Sequence, residues 1–347
     1  MPIFVTGGAG FIGSHVAEHF ARKNFETVVY DNLARSNLLG KDVTYSRYNW
    51  DYLASTYRNV KLVNGDVRNR ENLEKHIRGC ELAVHAAAQV AVTTSVVDPL
   101  TDFMINAYGT LNLLEAARKA DCGVIFFSTN KVYGERVNTI PMKTDGNRYV
   151  FNDLRYVDGV PEDFPTDATV HTPYGCSKLA ADLYVQDYAQ VYGLDTVVLR
   201  LSCIYGERQF GVEDQGWLAH FVRQALSGKP ITIYGDGKQV RDVLYVRDLV
   251  KAVDKIHQNI SKHRGEVFNI GGGPENAVSL LETITYLEQL CKAKIPLRFE
   301  NWRPADQKIY ISNIKKAKAR LDWSPETSWK NGLKILYDWM KDALFKQ

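Results

Sequence analysis

Short apolar runs alternate with amphipathic stretches through the first two hundred residues. The runs Ile3–Thr6, Thr27–Tyr30, Val60–Asn64, Leu82–His85, Val124–Ser128 and Thr196–Leu201 predict strands, several apolar on both faces, as buried parallel strands must be. Between them, Phe11–Lys23, Ala107–Lys119 and Tyr174–Val191 predict helices. Strand and helix in alternation imply right-handed βαβ units and an α/β fold built on a doubly wound parallel sheet. The segment Asn138–Thr172 is polar, rich in Pro, Asp and Thr, and without a period, which predicts a long excursion over the surface. Beyond Leu201 the pattern turns irregular. Strands Ile231–Tyr234 and Val267–Ile270 and helices Leu280–Leu290, Asn313–Leu321 and Asn331–Leu344 predict a smaller α+β region. The division expected is 1–202, with returning segments about 236–262, against about 203–235 and 263–347.

The first strand runs into Thr6-Gly7-Gly8-Ala9-Gly10-Phe11-Ile12-Gly13 and then a helix. Gly7 permits the tight turn, Gly10 lets backbone N–H groups approach a pyrophosphate, and Gly13 allows close helix–strand packing. The N–H groups of Phe11 and Ile12, opening the helix, face the same anion. This is the dinucleotide fingerprint in its proper strand–turn–helix setting, so the larger domain is expected to be a Rossmann domain. Asp31 closes the second strand, about 18 residues after Gly13, where a carboxylate accepts from the adenosine ribose hydroxyls and repels a 2′-phosphate. NAD is therefore expected over NADP, although Arg35 lies close by in sequence. Asn32 adjoins Asp31. Asp66 and Val67 follow the third strand and are candidates for the adenine amino group. Ala86, Ala87 and Ala88 follow the fourth and fit a backbone-lined slot. His85 reads as a packed strand-end histidine.

Composition narrows the class without changing the fold. The 347 residues are 45% hydrophobic and 24% charged, with 43 basic against 40 acidic residues, which excludes a disordered chain and gives no sign of a nucleic-acid surface. Five scattered cysteines without a C-x-x-C pair suit a reducing compartment and point to no metal site. No stretch approaches the roughly 18 apolar residues of a membrane span, and neither a signal-peptide pattern nor a basic tail is visible, so a cytoplasmic protein is expected.

Tyr174-Gly175-Cys176-Ser177-Lys178 sets Tyr and Lys four residues apart, on one face of a helix. A free tyrosine is a poor base at neutral pH. A nearby ammonium and an oxidised nicotinamide both favour the phenolate, which can then take a hydroxyl proton as hydride leaves carbon. Ser128-Thr129 ends the fifth strand, and Thr129 can orient the same hydroxyl.

Together these features resemble the extended short-chain dehydrogenase/reductase superfamily, over essentially the whole chain. The segments Gln89–Ser95, Ser128–Gly134, Pro173–Lys178, Arg208–Phe210, Asp214–Trp217 and Gly237–Val243 look more like the CDP-paratose/CDP-tyvelose 2-epimerases than the UDP-galactose 4-epimerases. The resemblance implies a smaller nucleotide-sugar-binding domain. It implies NAD as cofactor, held by the residues above with Asn106, Tyr174 and Lys178. Thr129, Tyr174, Lys178 and Asn130 would be catalytic, and Gln89, Thr94, Cys203, Gln209, Gln215, Lys238, Arg241 and Arg303 would bind substrate. The two arginines match positions that contact the diphosphate, where each could otherwise form a salt bridge, Arg241 with Asp242 and Arg303 with Asp306. Dehydratases of the superfamily carry a carboxyl pair directly after the threonine, where this chain has Asn130 and Lys131. The implied reaction moves the proton of a sugar C2 hydroxyl to Tyr174 and the C2 hydride to NAD, then returns hydride to the opposite face. The substrate implied is a CDP-linked, 3,6-dideoxy hexose. A relaxed CDP-glucose 2-epimerase, a UDP-hexose 4-epimerase and a non-catalytic NAD-binding protein remain alternatives. Cys203 departs from the polar residue common there. A homo-oligomer, dimer or tetramer, is also implied.

Overall fold

A computed structural model describes residues 1–35, 38, 47–303 and 306–345. It divides into two compact units. The first comprises Met1–Val132, Thr172–Arg200 and Val250–Phe268; the second comprises Tyr133–His171, Leu201–Leu249 and Asn269–Gln347.

The first unit is organised by strands β1 (Ile3–Thr6), β2 (Thr27–Asp31), β3 (Val60–Asn64), β4 (Leu82–His85), β5 (Gly123–Thr129) and β8 (Thr196–Leu201), in a seven-stranded sheet that β12 (Glu266–Ile270) completes. The order is β12-β8-β5-β4-β1-β2-β3, and β1 pairs in parallel with both β2 and β4. Chain progression therefore reverses between β1 and β4, the switch point where the carboxyl ends of strands open a crevice. All seven residues of β5 are buried, as a strand covered by helices on both faces requires. One core of Phe4, Tyr30, Leu73, Leu113, Phe126, Ala181 and Val198 joins this sheet to its helices.

The second unit holds β9 (Cys203–Tyr205), β11 (Val240–Tyr245), β13 (Ala277–Ser279) and β15 (Ile309–Tyr310) in one small sheet. Strands β10 (Ile231–Tyr234) and β14 (Leu297–Glu300) pair in parallel beside a separate hairpin, β6 (Met142–Asp145) with β7 (Arg148–Phe151). Helices Trp217–Leu226, Leu280–Cys291, Lys315–Leu321 and Trp329–Met340 complete it.

Three sequence expectations are corrected here. The stretch 138–172 is not a bare surface excursion. Its hairpin turns through Gly146 (φ +54°) and packs Met142, Tyr149 and Phe151 on the Val240, Ala277, Ile309, Ile311 cluster, while Val160 is fully buried. A strand only four residues long is too short to show a period, and the stretch groups with the second unit. The strand near Val267–Ile270 belongs to the large sheet, not to the α+β region. The segment returning to the first unit is Val250–Phe268, displaced from 236–262, because β11 pairs with β9 and β13 instead. Among the described residues, no helix is long and apolar enough to cross a membrane.

Candidate active site

The turn after β1 is shaped by backbone contact. Gly7 has φ +64°, and a Cβ there would lie 2.5 Å from the Ala87 nitrogen. A Cβ on Gly13 would lie 2.2 Å from the Gly7 carbonyl oxygen. Ala86 N–H donates to the Thr6 carbonyl at 3.1 Å and Ala87 N–H to the Thr6 hydroxyl at 3.3 Å, so the alanine slot is stitched to the turn. Gly10 differs: a Cβ there would meet only the Gly7 oxygen, at 3.0 Å. It precedes helix Phe11–Arg22, whose first turn has no side-chain cap and no acidic residue. Half-buried Phe11 and Ile12 thus open a helix whose first N–H groups have no side-chain cap, beside a Gly10 that leaves open space. The residues present fit a dinucleotide pyrophosphate.

Asp31 accepts from Ala9 N–H at 3.0 Å and Leu33 N–H at 2.7 Å. Burial pushes its carboxyl up, against the pull of these backbone donors and of Gly10. Asp66 is more heavily used. It accepts from Arg68 through N–H, Nε and Nη2 and from Asn32 Nδ2 at 2.8 Å, which together fill its four lone-pair sites. Arg68 holds that carboxyl down at about 2. An adenine amino group must compete with these donors. Neighbouring Val67 is buried against Gly109. His85 hydrogen-bonds Thr6 Oγ1 at 2.6 Å and Thr110 Oγ1 at 3.0 Å, and burial pushes its pKa down to about 3, a neutral packed histidine.

At the far end of β5, Tyr174 and Lys178 lie in helix Thr172–Tyr192 and are both buried, with Thr129. The Tyr174 phenol is pushed up to about 12 by burial; a hydrogen bond with the Thr129 hydroxyl lowers it and the Asp102 charge raises it. Asn130 Oδ1, at 3.3 Å, is the alternative acceptor for the one Thr129 hydroxyl proton. Lys178 donates to the Phe127 carbonyl at 2.6 Å and lies over the Phe126 ring. Burial drops its pKa to about 7, against the opposing pull of Asp182 and Asp102. Ser128 donates to buried Asp182 at 2.6 Å, and Arg200 pairs with the same carboxylate at 3.0 Å, tying β5, β8 and the helix together.

Gln89 and Asn106, read from sequence as substrate and cofactor contacts, are engaged inside the protein. Gln89 donates to Asp102 at 3.0 Å and to the Ala91 carbonyl at 2.9 Å, and its Oε1 accepts from Ala91 N–H. That leaves its amide no free hydrogen for a substrate. The two hydrogens of Asn106 Nδ2 are shared among the Gln89 carbonyl, Asp102 and Ser177, at 3.0–3.1 Å. Sequence reading missed Asp102 and Ser177 entirely, although Asp102 stands four residues before Asn106, on one helical face. Thr94 is half-buried in the short helix Val92–Val97.

The remaining candidates belong to the second unit. Gln209 is buried and donates to the Ile204 carbonyl at 3.1 Å; Gly216 packs directly against its amide. Gln215 closes a tight turn with Val212. Cys203 is half-buried on β9, opposite Val243 of β11, the strand that carries Arg241. Half-buried Lys238 donates its N–H to Asp236 at 3.0 Å. The arginines' salt-bridge partners are not those the sequence suggests. Arg241 pairs with Asp306 at 2.7 Å and Arg303 with Asp214 at 2.9 Å, the latter guanidinium lying 3.9 Å over the Tyr234 ring. Among the described residues, no group of three or more His, Cys, Asp or Glu side chains could hold a metal ion.

Comparison with known proteins follows the same lines. A family model described as "NAD dependent epimerase/dehydratase family" matches residues 3–271. The chain is 42% identical to the CDP-paratose 2-epimerase of Salmonella typhi, covering 98% of this chain and 99% of that one. It is 34% identical to a putative UDP-glucose 4-epimerase of Methanocaldococcus jannaschii, over 98% of each. Among solved structures, the UDP-glucuronic acid 4-epimerase from Bacillus cereus, in complex with UDP-glucuronic acid and NAD, superposes with a TM-score of 0.83 at 29% identity. The match spans 99% of this chain and all of that one.

Proposed function

The chain belongs to the NAD dependent epimerase/dehydratase family, and within it we propose that this member inverts C2 of a CDP-linked, 3,6-dideoxy hexose. The observation that carries the chemistry is the buried group of Thr129, Tyr174 and Lys178, a phenol hydrogen-bonded to a hydroxyl beside a desolvated amine. Support for the substrate is the near full-length likeness to a CDP-paratose 2-epimerase. Asn130 and Lys131 leave no acid beside Thr129 to expel water, which favours inversion over dehydration.

NAD is held, in this reading, by the backbone of Gly7, Gly10, Phe11, Ile12 and Gly13 at its pyrophosphate and by Asp31 and Asn32 at the adenosine ribose. Asp66 and Val67 take the adenine, and the Ala86–Ala88 slot, Tyr174 and Lys178 take the rest. The chemistry that bound NAD supplies is reversible hydride uptake beside a cationic ring, so redox change is zero over a turnover. Tyr174 removes and returns the hydroxyl proton, and Thr129 aligns that hydroxyl. Arg241 and Arg303 bind the substrate diphosphate, exchanging Asp306 and Asp214 for phosphate oxygens. Thr94, Cys203, Gln209, Gln215 and Lys238 supply the remaining contacts.

Helices Val92–Val97, Pro99–Phe103 and Thr172–Tyr192 expose a run of large apolar side chains, with Val97 85%, Leu100 70% and Leu183 54% accessible. Isolated apolar residues are ordinary on a surface, but so many on adjacent helices suit an interface. We read it as the seat of a homo-oligomer. Five unbridged cysteines suit the cytoplasm.

Product NMR tests the proposal. Purified protein, without added NAD, is given CDP-, UDP- and GDP-sugars in deuterated water. Inversion at C2 of the CDP-sugar with no deuterium on that carbon is expected. Conversion only at C4 of a UDP-sugar, no conversion, or deuterium at the inverted carbon would each overturn it.

A further inference from the structure

Beneath the Tyr174–Lys178 turn lies a carboxylate that the proposed reaction does not use. Asp102, 1% exposed, accepts from the Ser177 hydroxyl at 2.5 Å, Gln89 Nε2 at 3.0 Å and Asn106 Nδ2 at 3.1 Å. The two amides cannot be turned around. Ala91 N–H donates to Gln89 Oε1 at 2.5 Å, and Gln89 N–H donates to Asn106 Oδ1 at 2.9 Å, so each amide presents a nitrogen to Asp102. Two amide donors and a hydroxyl that can donate favour the ionised carboxylate, against burial, which pushes the carboxyl up.

A buried anion needs a cation. Helix Pro99–Phe103, which carries Asp102, is opened by Asp98, which repels it. The π-helical turn Met104–Tyr108 adds no charge, nor does helix Val92–Val97. Helix Thr172–Tyr192 contributes Tyr174, Lys178 and Asp182; the last is neutralised by Arg200, and nearby His85 is uncharged. Among the described residues, Lys178, the residue after Ser177, is the cation left, and its charge favours the ionised Asp102.

We propose that Asp102 is a positioning residue for the reaction: through Ser177 it locks the Tyr174–Lys178 turn, and its charge favours the protonated form of Lys178. The proposal rests on the reading of Tyr174 as the base and Lys178 as its cationic neighbour. Ser177 supplies the lock directly: its one hydroxyl proton lies between Asp102, at 2.5 Å, and the Tyr174 carbonyl, at 3.1 Å, with the shorter contact to Asp102. Of the two charges that oppose the loss of the Lys178 proton on burial, Asp182 acts more strongly and Asp102 adds to it.

The test compares kcat against pH for wild type, Asp102→Asn and Ser177→Ala, each checked for folding by thermal unfolding and for NAD binding by tryptophan fluorescence. Asp102→Asn should lose tenfold or more in kcat at pH 8 with KM within twofold. Its alkaline limb should move about one unit lower, so that part of the activity returns near pH 6. Ser177→Ala should lose severalfold in kcat with the limb unmoved, because the charge remains. A loss that is the same factor at every pH overturns the electrostatic role. If Asp102→Asn does not fold, an unchanged kcat in Ser177→Ala overturns the positioning role. Tyr174→Phe assayed alongside separates the two readings: normal turnover there sinks the base assignment whatever Asp102 does.

Discussion

Lys178 and Phe127 are joined by a 2.6 Å hydrogen bond from the ammonium to the main-chain carbonyl. The amine is thus positioned by β5, two residues before Thr129, and not by its own helix alone. A strand buried along its whole length gives that carbonyl little freedom. The same burial strips the amine of water and sets up the first expectation.

Lys178 binds its proton less tightly when folded, at about 7 against 10.5 for an ordinary lysine. Below pH 7 both folded and unfolded chains carry that proton. Between about 7 and 10 only the unfolded chain does, so folding stability from this group rises with pH across that window, by on the order of 5 kcal/mol. Lys178→Met lacks the effect. Denaturant midpoints at pH 6.5, 8 and 9.5 should show wild type gaining on the variant; a constant gap would refute the buried-amine account.

Tyr174→Phe removes one oxygen from a buried site. Turnover should fall about a thousandfold while NAD binding, followed by tryptophan fluorescence, stays within twofold. Thr129→Val should cost less, roughly ten- to a hundredfold, since it orients the hydroxyl and eases the phenol's ionisation without taking the proton. Most activity surviving in Tyr174→Phe would end the mechanism.

Two glycines a turn apart should behave differently. Gly13→Ala drives a methyl into the Gly7 carbonyl and should destabilise the fold by about 3 kcal/mol. Gly10→Ala meets only one atom, at 3.0 Å, and should fold with nearly native stability yet lose NAD. Calorimetry with and without NAD distinguishes them. A Gly10→Ala protein that still gains stability from NAD as wild type does would show that the pyrophosphate site lies elsewhere.

Asp31→Ala should weaken NAD about tenfold and narrow its advantage over NADP, because the repulsion of a 2′-phosphate disappears. It also strips acceptors from Ala9 and Leu33 N–H, costing about 1–3 kcal/mol. Fluorescence titration with both dinucleotides reads the ratio directly.

Replacing Val97 and Leu183 together by Asp puts charge into the exposed apolar helix face. The pair should convert an oligomer to monomers in light scattering, with the fold intact. An unchanged molar mass would place the interface on another surface.

The Rossmann half was legible because its determinants are local. Gly10 and Gly13 answer to backbone contacts within one turn, and β1, β2, β3, β4 and β8 are apolar-rich runs within a residue of those expected. The Tyr174–Lys178 spacing likewise needs only one helix. What escaped depends on partners distant in sequence. Asp306 for Arg241 lies 65 residues away, and Ser177 for Asp102 lies 75 away, separations that no periodicity encodes. The β6–β7 hairpin did carry a local signal, Gly146-Asn147, but its four-residue strands sit among polar residues.

The π-helical turn Met104–Tyr108 is flanked on both sides by α-helix, Pro99–Phe103 and Gly109–Ala120. Such a turn is one residue longer than the α-helix it interrupts. Shortening this segment by a single residue would let the helix run straight through while withdrawing Asn106 from its partners. Here, then, the fold and the Asp102 cluster are separately encoded: a lineage could drop one codon, keep a well-packed domain and lose the arrangement beneath Tyr174.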